Sequence, residues 1–125
     1  MVALRDFMTR DVYATTPDTP VADAAAGMVR GRFGSAVVCV GSTLVGIFTE
    51  RDVLRAAANG GDLSREPVRD WMTENPVTAA PDEDSENASE IMLAGGFRHL
   101  PVVEGSQLVG IVSLRDLLSN RIRRS

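Results

Sequence analysis

The chain repeats itself. Leu4 falls on Val68, a shift of 64 positions (68 − 4), and that shift holds without a gap as far as Ala56. Leu4-Arg-Asp-Phe-Met-Thr9 lands on Val68-Arg-Asp-Trp-Met-Thr73, Pro17-Asp18 on Pro81-Asp82, and Phe33 on Phe97. Gly41-Ser-Thr-Leu-Val-Gly-Ile-Phe48 lands on Gly105-Ser-Gln-Leu-Val-Gly-Ile-Val112, and Arg51-Asp52 on Arg115-Asp116. Such self-similarity implies two copies of one supersecondary unit, residues 1–61 and 62–125, related by an approximate two-fold axis.

Each copy has the same order of elements. The first opens with an amphipathic turn (Leu4, Phe7, Met8) and an extended segment at 12–15. Pro17-Asp18-Thr19-Pro20 then starts a helix, with Thr19 as N-cap and Pro20 at the tolerated first position. Val21, Ala24, Ala25, Met28 and Val29 recur at helical spacing and form its apolar face. Two apolar runs, 36–40 and 44–48, flank Gly41-Ser42-Thr43 and read as a β-hairpin. A second helix over Glu50–Ala58 stops at Asn59-Gly60-Gly61. The second copy follows suit, but Ser85 and Ser89 replace Val21 and Ala25 and narrow the apolar face, leaving Ala88, Met92 and Leu93, with Ile91 beside them. The fold class is α/β, of the α+β type: two small sheets, each with two packed helices. A unit of this size has too small a core to stand comfortably alone, so the two sheets are expected to pair and complete one core. Met8, Met28, Met72 and Met92 read as core, and Trp71, the counterpart of Phe7, as an anchor between the copies.

Composition excludes several function classes. A net charge of −4 argues against a nucleic-acid footprint. All 13 basic residues are arginine, which fits either compositional bias or recognition of phosphate and carboxylate. The single cysteine, Cys39, lies in an apolar run and reads as a buried thiol. The N-terminus has no signal-peptide pattern, and no stretch is long and apolar enough to span a bilayer. A cytoplasmic protein without membrane association is expected. One His, one Cys and no metal-spaced cluster or Gly-rich phosphate loop leave few catalytic candidates, so no enzymatic activity and no metal site are expected.

The chemistry concentrates in Gly46-Ile-Phe-Thr-Glu-Arg-Asp52 and its twin Gly110-Ile-Val-Ser-Leu-Arg-Asp116. Thr49-x-x-Asp52 and Ser113-x-x-Asp116 at a strand-to-helix junction read as capping boxes. A helix N-terminus also attracts anions, and Arg51 and Arg115 sit where the helix dipole disfavours a cation. An anionic partner accounts for that placement, as does an offsetting Asp neighbour. A carboxylate able to accept two hydroxyl protons suits a ribose diol. Hydroxyl, Arg and Asp together look like a site for the sugar–phosphate end of a nucleotide.

These residues resemble a pair of cystathionine-β-synthase (CBS) domains, the tandem regulatory module called a Bateman module, over nearly the entire chain. The resemblance implies that the Gly-h-h-[Thr/Ser]-x-x-Asp motif binds the ribose of an adenosine-type ligand: AMP, ADP or ATP, with S-adenosylmethionine or NADH as further candidates, and no cofactor. It implies that each motif is completed by the opposite copy. One site would combine Thr49, Arg51 and Asp52 with Pro76, Val77, Arg98 and His99. The other would combine Ser113, Arg115 and Asp116 with Val12, Tyr13, Gly34 and Ser35. Arg98-His99 stands where the first copy has Gly34-Ser35, so the first site is expected to take the phosphorylated nucleotide. His99 reads equally as a strand-edge residue satisfied by backbone, and Tyr13 either stacks on a base or packs with its hydroxyl in water. The basic end at 120–125 favours the negative end of the last helix. The resemblance further implies a homodimer and an effector protein as partner. The alternative is a structural or dimerisation module with no nucleotide ligand.

Overall fold

The computed structural model describes the backbone of residues 2–124 and the side chains of residues 2–119; the basic end lies outside the described side chains. The elements are β1 (Ala14–Thr15), α1 (Val21–Gly31), β2 (Ser35–Val40), β3 (Thr43–Thr49), α2 (Glu50–Ala58), β4 (Thr73–Glu74), α3 (Ser85–Gly95), β5 (His99–Glu104), β6 (Gln107–Ser113) and α4 (Leu114–Arg124). Short 3-10 turns at Leu4–Asp6 and Val68–Asp70 open the two copies. This is the mixed α/β architecture expected, with two small sheets and four helices.

One sheet has the order β1-β2-β3-β4, with β1 parallel to β2 and the other pairs antiparallel. The other is the β5-β6 hairpin, bridged at Ala79 to Val102 and at Thr9 to Ile111. Both hairpins turn at Gly-Ser, and each carries a register shift at the same place, Val38/Cys39 and Val102/Val103. Cys39 is half-buried where its apolar neighbours suggested full burial, because β2 emerges toward solvent at its end. Even so, desolvation pushes its thiol pKa up, which keeps it protonated.

The chain divides into two compact units, Val12–Pro76 and Met1–Asp11 with Val77–Ser125. These units differ from the sequence copies by an exchange of leading segments. The Leu4 N–H donates to Glu83 O at 2.9 Å and the Arg5 N–H to Pro81 O at 2.9 Å. Val68 and Arg69 make the same bonds to Thr19 O and Pro17 O, at 2.8 and 3.0 Å. Arg69 also pairs with Asp18.

The buried apolar residues accordingly form two clusters, each within one unit, where the sequence led us to expect a single shared core. Val21, Ala24, Met28, Ala36, Val38, Phe48, Ala56 and Val68 make the first, with Trp71 and Met72 packed against it. Leu4, Ala88, Met92, Leu100, Val102, Val112 and Leu117 make the second, with Phe7 and Met8 packed against it. Each exchanged segment adds apolar side chains to a hairpin and two helices, which is how so small a unit acquires a core. Trp71 thus anchors the leading segment of the second copy in the core formed by elements of the first.

Three local expectations change. Thr19 does not cap α1: the N-cap is Pro20, and the Thr19 hydroxyl bonds the Thr16 hydroxyl at 2.8 Å inside the preceding turn. Val29 is 78% exposed, because the buried face of α1 runs through Val21, Ala24, Gly27 and Met28. The Tyr13 ring lies over Gly27, where a Cβ would run into it. On α3, Leu93 is 59% exposed and Ile91 is exposed, while Ser85 and Ser89 are buried at the positions of Val21 and Ala25. The Ser89 hydroxyl donates to Ser85 O at 2.9 Å, so a buried polar group is satisfied within its own helix.

Candidate functional site

The Thr49 motif is built by the junction of β3 and α2. Thr49 leaves the strand with extended backbone (φ −120°, ψ 169°) and becomes the N-cap. Its hydroxyl accepts from the Asp52 N–H at 3.4 Å, and Asp52 Oδ2 accepts from the Thr49 N–H at 2.9 Å. The capping box is complete, satisfying two donors that a helix start otherwise leaves orphaned. Asp52 is 6% exposed, and its Oδ1 accepts from Arg55 Nη1 at 3.0 Å. The Arg55 guanidinium lies 5.7 Å from the centre of the Trp71 ring. Arg51, in the first turn, is exposed.

Gly34 and Ser35 adjoin this motif in the same unit. The Glu50 N–H donates to Gly34 O at 3.2 Å, and Ser35, buried at the start of β2, pairs in register with Thr49. Val12 and Tyr13 precede β1 and are half-buried. Tyr13 O accepts from the Val37 N–H at 2.9 Å, and its ring stacks on Phe33 with centroids 5.7 Å apart. Tyr13 therefore packs on α1, and its hydroxyl meets Gly27. Pro76 is half-buried at the end of this unit.

In the other unit the Ser113 hydroxyl accepts from the Asp116 N–H at 3.1 Å. Arg115 and Asp116 are exposed, and Ser113 is half-buried. Arg98, exposed, accepts the Leu114 N–H on its carbonyl at 2.8 Å. His99, half-buried, opens β5 and pairs with Ser113. Val77 is exposed. Within each unit, then, the structure brings the residues before the hairpin to the motif of their own copy.

Sequence reasoning missed two features of the motif. A Cβ on Gly46 would lie 2.6 Å from Met72 Sδ and 3.0 Å from Thr73 O, and one on Gly110 would lie 2.9 Å from Thr9 O and 3.0 Å from Met8 Sδ. The glycine that opens the motif thus admits the exchanged segment. Arg55 is the second; its spacing of three from Asp52 was the available signal. Among the described residues no group of three or more His, Cys, Asp or Glu could hold a metal ion. None of the described helices is long and apolar enough to cross a membrane.

The CBS domain family model matches residues 4–59 and again residues 68–123. The chain belongs to the CBS-domain family. An uncharacterized 17.7 kDa protein in the bps2 3′ region of Acidianus ambivalens is 41% identical over 111 residues, covering 87% of this chain and 66% of that protein. The chain thus spans just under two thirds of that relative's length. The crystal structure of the CBS-domain containing protein ATU1752 from Agrobacterium tumefaciens matches with a TM-score of 0.88 and 34% identity, covering 96% of this chain and 99% of that one. CBSX2, solved in complex with AMP, matches with a TM-score of 0.81 and 25% identity, covering 99% and 98%. Both CBS copies keep the hydroxyl-x-x-Asp cap, but only the first copy has an arginine one turn beyond its Asp: Arg55 against Ser119.

Proposed function

We propose that this CBS pair is a non-catalytic regulatory module that binds an adenosine-type ligand, AMP, ADP or ATP, and signals its occupancy to an effector protein. The observation that carries the reading is the duplicated helix start, where a hydroxyl-capped N-terminus, an Arg and an Asp stand together in both copies. Backbone N–H groups and Arg suit phosphate, and a carboxylate suits a diol. A relative of the same fold, CBSX2, is described in complex with AMP, which supports the choice of ligand class. Following the family resemblance, Thr49, Arg51 and Asp52 act with Pro76, Val77, Arg98 and His99, and Ser113, Arg115 and Asp116 act with Val12, Tyr13, Gly34 and Ser35. The module is proposed to work as a cytoplasmic homodimer.

Thermal shift against AMP, ADP, ATP, S-adenosylmethionine and NADH tests this directly. A ligand at 100 times its dissociation constant stabilises the fold by about 2.7 kcal/mol. A rise in melting temperature with a phosphorylated adenosine ligand, without turnover, is the expected result. No shift with any of the five would favour a structural or dimerisation module, and turnover would make the protein an enzyme.

A further inference from the structure

Asp52 is held by more than its cap. Oδ2 accepts from the Thr49 N–H at 2.9 Å and from the Thr49 hydroxyl at 3.2 Å, while Oδ1 accepts from Arg55 Nη1 at 3.0 Å. A carboxylate oxygen has two acceptor directions, so Oδ2 is full and Oδ1 is half used. Oδ1 alone has an acceptor direction to spare, so a vicinal diol that places both of its donors there has to displace the Arg55 bond. Losing the Thr49 N–H bond would orphan a backbone donor at the helix start. Arg55 is the exchangeable partner: its side chain is 59% exposed against 8% for that of Asp52, so the guanidinium can turn outward while the carboxylate keeps its cap.

We infer that Arg55 is a specificity-determining residue of the first motif, releasing Asp52 to the ligand's diol and turning its charge to the ligand's phosphate. The inference rests on the adenosine-ligand reading above and deepens it. A neutral nucleoside breaks the Arg55–Asp52 pair and offers the guanidinium no anion in return. A nucleotide replaces one carboxylate partner by phosphate oxygens, which arginine binds through its fork of donors. The second motif has Ser119 at the corresponding position, which carries no charge to redirect.

Calorimetry with AMP and with adenosine tests this, with the second motif silenced by Asp116→Asn. In that background Arg55→Ser, which installs the second copy's residue, should lower the AMP-to-adenosine affinity ratio about five-fold. Arg55→Lys should retain most of the ratio. Emission from Trp71, the sole tryptophan, should respond to AMP while Arg55 is present and lose that response in Arg55→Ser. An unchanged ratio in Arg55→Ser, including an equal weakening of both compounds, would overturn the inference and leave the adenosine reading intact. Binding of neither compound before Arg55 is changed would overturn the adenosine reading itself.

Discussion

The motifs at 49–52 and 113–116 start equivalent helices, yet Asp52 is 6% exposed and paired with Arg55, whereas Asp116 is exposed and has Ser119 one turn on. The same divergence surrounds the first helix of each copy. Tyr13 lies over Gly27 in one unit, and the corresponding residues in the other are Val77 and Ile91. The backbone plan is the same in both places, and the side chains set on it differ. The two copies therefore share a frame and differ in what the frame presents.

The largest effect should come from breaking the Tyr13–Gly27 pair. Gly27→Ile puts the second copy's side chain where the Tyr13 ring lies, and should cost about 3 kcal/mol in urea unfolding. Adding Tyr13→Val should recover at least half of that loss, as expected of residues in contact. Equal loss in the single and double variants would show that the two positions did not change together. The caps come next. Thr49→Ala should cost about 1.5 kcal/mol, since it dismantles a complete capping box, and Ser113→Ala about 0.7 kcal/mol. The smallest effect concerns the ends of α1 and α3. Arg32 and Gly96 both adopt left-handed backbone, at φ 60° and 72°, but only glycine does so without steric cost. Arg32→Gly should therefore stabilise the protein by about 0.7 kcal/mol, visible as a higher urea midpoint.

The element order was legible because each hairpin and helix carries its own local signal: paired apolar runs around Gly-Ser, and Asn59-Gly60-Gly61 after α2. The motif was legible as a cap for the same reason. The exchange of leading segments was not, because residues 4–9 and 68–73 match each other, and either could pack on either hairpin without changing the pattern. The exposure of Val29 and of its counterpart Leu93 depends on how far round each helix the buried face extends, which helical periodicity alone does not fix. Buried Ser85 and Ser89 look polar in sequence, and the Ser89 hydroxyl is accommodated by its bond to Ser85 O, a contact that a polarity pattern does not announce.

The inequality of the two motifs turns on which of them Arg98 serves. Its backbone adjoins Ser113 and Leu114, whereas the proposed function assigns its side chain to the ligand of Asp52. Calorimetry with AMP on Arg98→Ala, made once with Asp52→Asn and once with Asp116→Asn, separates the two assignments. Arg98→Ala is predicted to weaken AMP binding about ten-fold when Asp52 is intact, and to leave it unchanged when only Asp116 remains. A loss that appears only when Asp116 is intact would contradict that assignment.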